Sequence, residues 1–170
     1  MKIEPLNLTG PDPVQVEWTD ALGGFFRNCG IIEFIAMEFI GKMATGFKYK
    51  SIKKKYLSQK ITFIIEHLGE QTEAPQDQIE AVMETLEEIR QLSFFRNVLS
   101  HGAIGLANSG NEEGKSNSII GILNYRPDDP DQDAEIISLA EIISRKQESA
   151  DLAEKLLSHL QGLSFTGKQV

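Results

Sequence analysis

Apolar residues recur with the helical period of about 3.6 residues in four stretches of this chain. The first stretch begins at about Thr19, where Thr19 or Asp20 would provide the N-cap. Its apolar stripe consists of Leu22, Phe25, Phe26, Cys29, Ile32, Ala36, Phe39, Ile40 and Met43. Ile31, Phe34 and Ile35 widen this stripe, which is typical of a helix that is central in a bundle or contacts another subunit.

The ends of the later helices are indicated by capping residues. Asp77 and Glu80 form a capping-box pattern that predicts the start of the third helix, and this helix is expected to end at Gly102. Ser138 and Glu141 form a similar pattern before the last helix. The second helix is predicted from a shorter apolar stripe over 57–68.

Two short apolar runs separate the third and fourth helices. They cover 103–107 and 118–125 and are joined by a polar, glycine-containing segment, so we expect either a β-hairpin or a long loop here. The fold class predicted from these elements is mainly all-α. The predicted architecture is an up-and-down four-helix bundle with a short hairpin or loop insertion before the last helix.

The length of 170 residues is consistent with a single domain spanning 1–170. We expect a packed core over about 19–161, an extended lead-in at 1–16 and a tail at 163–170. The chain has one cysteine and no apolar run long enough to span a bilayer or to act as a secretory signal. A cytoplasmic protein without membrane contact is therefore expected.

The net charge of −8 opposes nonspecific attraction to nucleic acid, so any such partner must contact a local basic patch. One basic tract surrounds Tyr49 and Tyr56 in the sequence. Its lysines are Lys48, Lys50, Lys53, Lys54 and Lys55. These residues are candidates for contacting RNA phosphates, with the rings available for stacking. The alternative is an ordinary solvated helix start.

The segment from Phe94 to Gly102 carries the most reactive combination of side chains, namely Arg96, Asn97 and His101. Arginine is a permanent cation and histidine titrates near neutral pH, so together they suit a phosphate and its protons. On a helix, Arg96 and His101 lie about 140° apart, whereas Asn97 and His101 are nearly aligned. Arg96 must therefore reach round the helix, act from a partner subunit, or lie where the helix is irregular.

The spacing of Arg96, Asn97 and His101 at the end of the third helix resembles the signature of the HEPN superfamily. The helix order and the segment Gly30–Glu33 also resemble features of that group. Many HEPN proteins are homodimeric, metal-independent endoribonucleases. The resemblance implies that His101 moves protons, Arg96 stabilises the phosphate charge and Asn97 orients the phosphate. It implies no metal and no cofactor.

The resemblance leaves two functions open. One is an RNA-cleaving toxin or defence effector, with an antitoxin or another regulatory protein as partner. The other is a non-catalytic, dimeric binding module, in which Arg96 pairs with an acid, Asn97 caps a loop and His101 lies at a helix C-terminus. A second copy of Phe-Phe-Arg-Asn at 25–28 has no histidine five residues after Arg27 and is interpreted as a coincidence.

Overall fold

The computed structural model describes residues 3–5, 13–101, 103–110, 116–123 and 136–166, and it describes side chains within 16–70, 72–100 and 137–166. Most of this part is helical, which confirms the mainly all-α class. The helices are α1 (Pro13–Met43), α2 (Gly46–Lys53), α3 (Leu57–Gln71), α4 (Gln76–His101) and α5 (Leu139–Gly162). The strands are β1 (Ile3–Pro5), β2 (Ala103–Gly110), β3 (Ser116–Leu123) and β4 (Ile136–Ile137).

Helical structure begins earlier than expected at the N-terminal end, and packing continues further than expected at the C-terminal end. Helix α1 begins at Pro13, six residues before Thr19, so the predicted N-cap and the extended state of 13–16 were wrong. Proline suits the first turn of a helix, because the N–H that it lacks has no partner there. At the other end, Leu163 is buried, and the ring of Phe165 packs edge-on against Phe39 at 6.1 Å between centroids.

Most of the basic tract forms a separate short helix, α2, with Lys54 as its C-cap and Lys55 beyond it, and the sequence did not predict this helix. Gly46, the first residue of α2, has φ of +60°, a conformation that favours glycine over residues with a Cβ. Helix α4 begins at Gln76, so the predicted capping role of Asp77 was wrong. Ser138 is the N-cap of α5 as predicted, and its hydroxyl accepts a hydrogen bond from the Glu141 N–H at 3.2 Å.

The segment between α4 and α5 supplies three strands of an antiparallel sheet with strand order β1-β2-β3-β4. Strands β2 and β3 pair along their whole length, from Ala103 opposite Leu123 to Gly110 opposite Ser116. Strand β1 pairs with β2 through Ile3 and Ala107, so the N-terminal segment joins the same sheet. The sheet therefore extends from the end of α4, where the predicted site lies, to the start of α5.

The four long helices pack in pairs around one apolar core. Helix α1 lies along α3 and α5, and helix α4 lies along the same two helices. The largest fully buried side chains are Phe25, Phe39, Ile32, Ile40, Met43, Ile61, Ile64, Leu68, Leu86, Ile89 and Leu92. Within the described residues, no helix has the length and apolar character needed to cross a membrane.

Candidate functional site

Phe95 anchors the C-terminal part of α4 against α1. Its ring packs edge-on against the fully buried Phe25 at 5.6 Å between centroids, and the guanidinium of Arg145 lies 5.1 Å from its ring centre. Successive residues of a helix point about 100° apart. Because Phe95 points inward, its neighbour Phe94 projects into solvent with 64% of its surface exposed.

Arg96 and Asn97 are in direct contact. The Arg96 Nη1 donates a hydrogen bond to the Asn97 Oδ1 at 3.2 Å, and both side chains are half-buried. The guanidinium therefore bends towards the face of α4 that carries position 97. Position 101 lies four residues later on the same face. His101 is the last residue of α4, and its side chain lies outside the described residues.

Cys29 of α1 lies close to this pair but is not a suitable nucleophile. Burial raises the pKa of its thiol to about 11, and the nearby positive charge of Arg96 offsets only part of this effect. The thiolate, not the thiol, is the reactive form of cysteine. At neutral pH Cys29 is therefore a neutral packing residue, and the candidate chemistry rests on α4.

The other two histidines have packing roles. His67 stacks on Phe63 at 4.3 Å between centroids, and its Nδ1 donates to the Phe63 carbonyl at 2.9 Å. The Nε2 of His159 lies 3.1 Å from the hydroxyl of the buried Thr85. Burial lowers the pKa of His159, and the charge of Lys155 acts in the same direction. His159 thus connects α5 to α4, whereas these two contacts of His67 lie within α3.

Asn97 lines an open groove of about 320 Å³ between α3 and α4. The groove is also lined by Ser58, Glu87, Arg90, Gln91, Ser93 and Phe94. Glu87 and Arg90 form an ion pair at 2.8 Å, so the groove is polar but carries little net charge from this pair. Sequence reasoning missed these neighbours of Asn97, because Ser58 comes from another helix and nothing in the local pattern marks it.

The lysine tract is divided by the fold. Lys50, Lys54 and Lys55 line a second open groove of about 480 Å³ together with Ser51 and Phe47. The ring of Phe47 is 89% exposed. This arrangement places three cations beside a ring that a nucleobase could reach.

The remaining two candidate lysines lie outside that groove. Lys53 is exposed but is not among the residues that line it. The ammonium of Lys48 lies 5.3 Å from the ring centre of Phe63 and 3.4 Å from the His67 Nε2. Because the His67 Nδ1 donates to a carbonyl, Nε2 is the acceptor in this contact. Lys48 therefore attaches α2 to α3.

Lys60 is another lysine with a structural position. It belongs to α3, is buried, and forms an ion pair with Glu33 of α1. The side chain of Lys60 is 4% exposed and that of Glu33 is 40% exposed. This pair connects two core helices and leaves no free ammonium for a nucleic acid.

The described residues contain no group of three or more His, Cys, Asp or Glu side chains that could hold a metal ion. The arrangement seen here offers a cation, an amide and hydroxyl groups. These groups can bind and polarise a phosphodiester or a nucleobase through hydrogen bonds and charge.

No protein-family model matches this chain, and no curated protein or solved structure is significantly similar to it. The fold and site define a mainly helical protein with a polar groove at the C-terminal part of one core helix and a lysine groove on a short neighbouring helix.

Proposed function

We propose that this protein is a metal-independent endoribonuclease of HEPN type. The observation that carries the proposal is the contact of the Arg96 guanidinium with Asn97, because it supports a cation on the helix face shared with position 101. The pairwise packing of α1, α3, α4 and α5 supports a four-helix bundle of the same type. Asn97 also lines a groove open to solvent, so a phosphate could approach it.

The proposed reaction is an attack of a ribose 2′-hydroxyl on the adjacent phosphodiester. His101 accepts the hydroxyl proton as the new O–P bond forms. Arg96 stabilises the negative charge that develops on the phosphate, and Asn97 orients it through its amide. The bond to the 5′-oxygen then breaks, and this oxygen takes up the proton that His101 accepted, which returns the imidazole to its neutral form. The products are a 2′,3′-cyclic phosphate and a 5′-hydroxyl.

The lysine groove supports RNA binding in spite of the acidic composition. The net charge of −8 repels a polyanion from the molecule as a whole, whereas Lys50, Lys54 and Lys55 concentrate positive charge in one place. Lys55 precedes Ser58 of the α3–α4 groove by three residues, so the two grooves are close along the chain.

The proposal is tested by incubating the purified protein with single-stranded RNA in EDTA. We expect cleavage that continues without metal and leaves 2′,3′-cyclic phosphate and 5′-hydroxyl ends. An RNA with a 2′-deoxy nucleotide at the cleaved position should resist cleavage at that bond, because the attacking hydroxyl is missing. Cleavage of the 2′-deoxy bond, or cleavage that stops in EDTA, would rule out this mechanism.

We also propose a homodimer that uses the outer face of α1. Ile31 is 45% exposed and Phe34 is 66% exposed, although both belong to the apolar stripe of this helix. Exposed apolar groups on one face are typical of subunit contacts. The substitution Phe34→Glu is expected to shift the sedimentation coefficient from dimer to monomer, while Glu154→Lys, on the exposed side of α5, should leave it unchanged. A wild-type protein that sediments as a monomer at micromolar concentration contradicts this prediction.

A non-catalytic binding module is the second candidate. The half-burial of Arg96 and its bond to Asn97 favour it, since these contacts would also suit a structural pair. This function predicts RNA or protein binding without product formation. Equal cleavage by the wild type and by variants at Arg96 and His101 would indicate a contaminating nuclease and would favour this second candidate.

A further inference from the structure

The exposure of Phe94 is unusual for its surroundings. The ring is 64% exposed, whereas Phe95, the next residue, is partly buried and packs against the core cluster. Phe94 lines the α3–α4 groove with Asn97, which lies three residues further along the same helix. An aromatic face that is open to solvent and beside polar groups suits a flat, partly polar ligand.

The polar groups beside Phe94 suit the edge of a nucleobase. The carboxylate of Glu87 pairs with Arg90 at 2.8 Å, so this pair brings little net charge to the groove. In the part of the chain that the structure describes, the Ser58 hydroxyl and the Gln91 amide make no side-chain hydrogen bond. These groups can both donate and accept, as the edge of a nucleobase requires.

The lysine groove could bind the phosphates of a nucleic acid whose base occupies the α3–α4 groove. Lys55 and Ser58 are three residues apart, which limits their Cα separation to about 11 Å. Tyr56 lies between them and is 74% exposed. Three rings in this region are therefore exposed, namely Phe47 in the lysine groove, Phe94 in the groove that contains Asn97, and Tyr56, which lies between Lys55 and Ser58 in the sequence. Single-stranded nucleic acids bind along such combinations of cations and rings.

We infer that the α3–α4 groove is a nucleobase subsite, in which one unpaired base stacks on Phe94 while Ser58, Gln91 and Arg90 contact its edge. This inference rests on the proposed function and names its substrate as unpaired RNA. The lysine groove holds phosphates on one side of this base, and Asn97 contacts the phosphate on the other side. A base inside a duplex is already stacked and paired, so it cannot enter the groove.

The test measures binding of fluorescent single-stranded RNA homopolymers and of a matched duplex by anisotropy at one fixed salt concentration. The protein carries His101→Ala, so that cleavage does not consume the probe. Adding Phe94→Leu is expected to weaken single-strand binding about 5- to 100-fold and to leave duplex binding unchanged. Phe94→Trp keeps an aromatic face and should retain or strengthen binding. Gln91→Ala should reduce the difference in affinity among the homopolymers.

Equal single-strand affinity of the Phe94→Leu variant and its parent would overturn the subsite, and so would an equal loss on the duplex or a complete lack of RNA binding. Circular dichroism of each variant reports whether it is folded, and a Phe94→Trp variant that binds proves that position 94 tolerates change. A wild type that binds through Phe94 but cleaves no RNA refutes the proposed catalysis alone. Cleavage that does not depend on Phe94 refutes the subsite alone.

Discussion

Replacing Arg96 with alanine is expected to slow RNA cleavage by about 10²- to 10³-fold in single-turnover assays. In the proposed reaction this guanidinium stabilises charge that appears on the phosphate only in the transition state. Its loss should therefore lower the maximal rate, with a smaller effect on the affinity for RNA. Arg96→Lys keeps the charge but loses the planar donors, so partial activity is expected.

Two further variants show whether the loss of activity is specific to the proposed catalytic groups. His101→Ala should lower the rate by about 10²- to 10⁴-fold and should also change the pH dependence, because the proton acceptor is lost. Lys155→Ala removes one cation from the α4–α5 surface, where Lys155 pairs with Glu88 at 3.3 Å, and should leave the rate unchanged. An Arg96→Ala protein that is as active as Lys155→Ala would contradict the proposed role.

Replacing Glu33 with alanine is expected to lower the free energy of unfolding by about 1 to 3 kcal/mol. The substitution leaves the ammonium of Lys60, whose side chain is 4% exposed, without its partner from α1. A buried charge without a partner is costly, and breaking a buried pair is more harmful than never having one. Urea denaturation followed by circular dichroism measures the loss.

Two further variants separate the loss of stability that is due to the unpaired charge from the loss that is due to missing side-chain contacts. The double variant Glu33→Ala with Lys60→Met removes both charges and should recover most of the stability, because an apolar side chain fits the buried site of Lys60. Glu88→Ala breaks an exposed pair whose side chains are both 45% exposed and should cost less than about 1 kcal/mol. If Glu33→Ala costs no more than Glu88→Ala, the pair with Lys60 does not hold α1 against α3.

The long helices could be predicted because their apolar residues repeat with a helical period. The N-cap Ser138 was also correct, since capping depends on local contacts with Glu141. The start of α1 was missed because prolines commonly mark an extended segment, although Pro13 is compatible with a first helical turn. Helix α2 was missed because its eight residues are too few to show a period, and only the surrounding structure holds them.

The candidate site could be predicted only as two sets of residue types, one on α4 and one in the lysine tract. Arg96, Asn97 and the lysine tract were visible as charge and spacing. The groove around Asn97 was not, because Ser58 of α3 reaches it through packing between helices. The division of the lysines was also hidden, since Lys48 is bound by Phe63 and His67 and Lys60 by Glu33.

The two copies of Phe-Phe-Arg-Asn show the limit of what can be predicted from the sequence alone. In α1, Phe25 is fully buried, and the buried Asn28 amide donates to the Lys146 carbonyl at 3.0 Å and to the Ser149 hydroxyl at 3.1 Å. In α4, Phe94 is exposed and Asn97 lines an open groove.

The sequence by itself determined that both copies are helical, because helix formation depends on local hydrogen bonds and on a repeating apolar face. Only the tertiary structure decided that the Asn28 amide of the first copy is buried against α5 and that Asn97 of the second copy lines an open groove. The rotation of each helix is set by the neighbours that it packs against, and those neighbours are distant in the sequence.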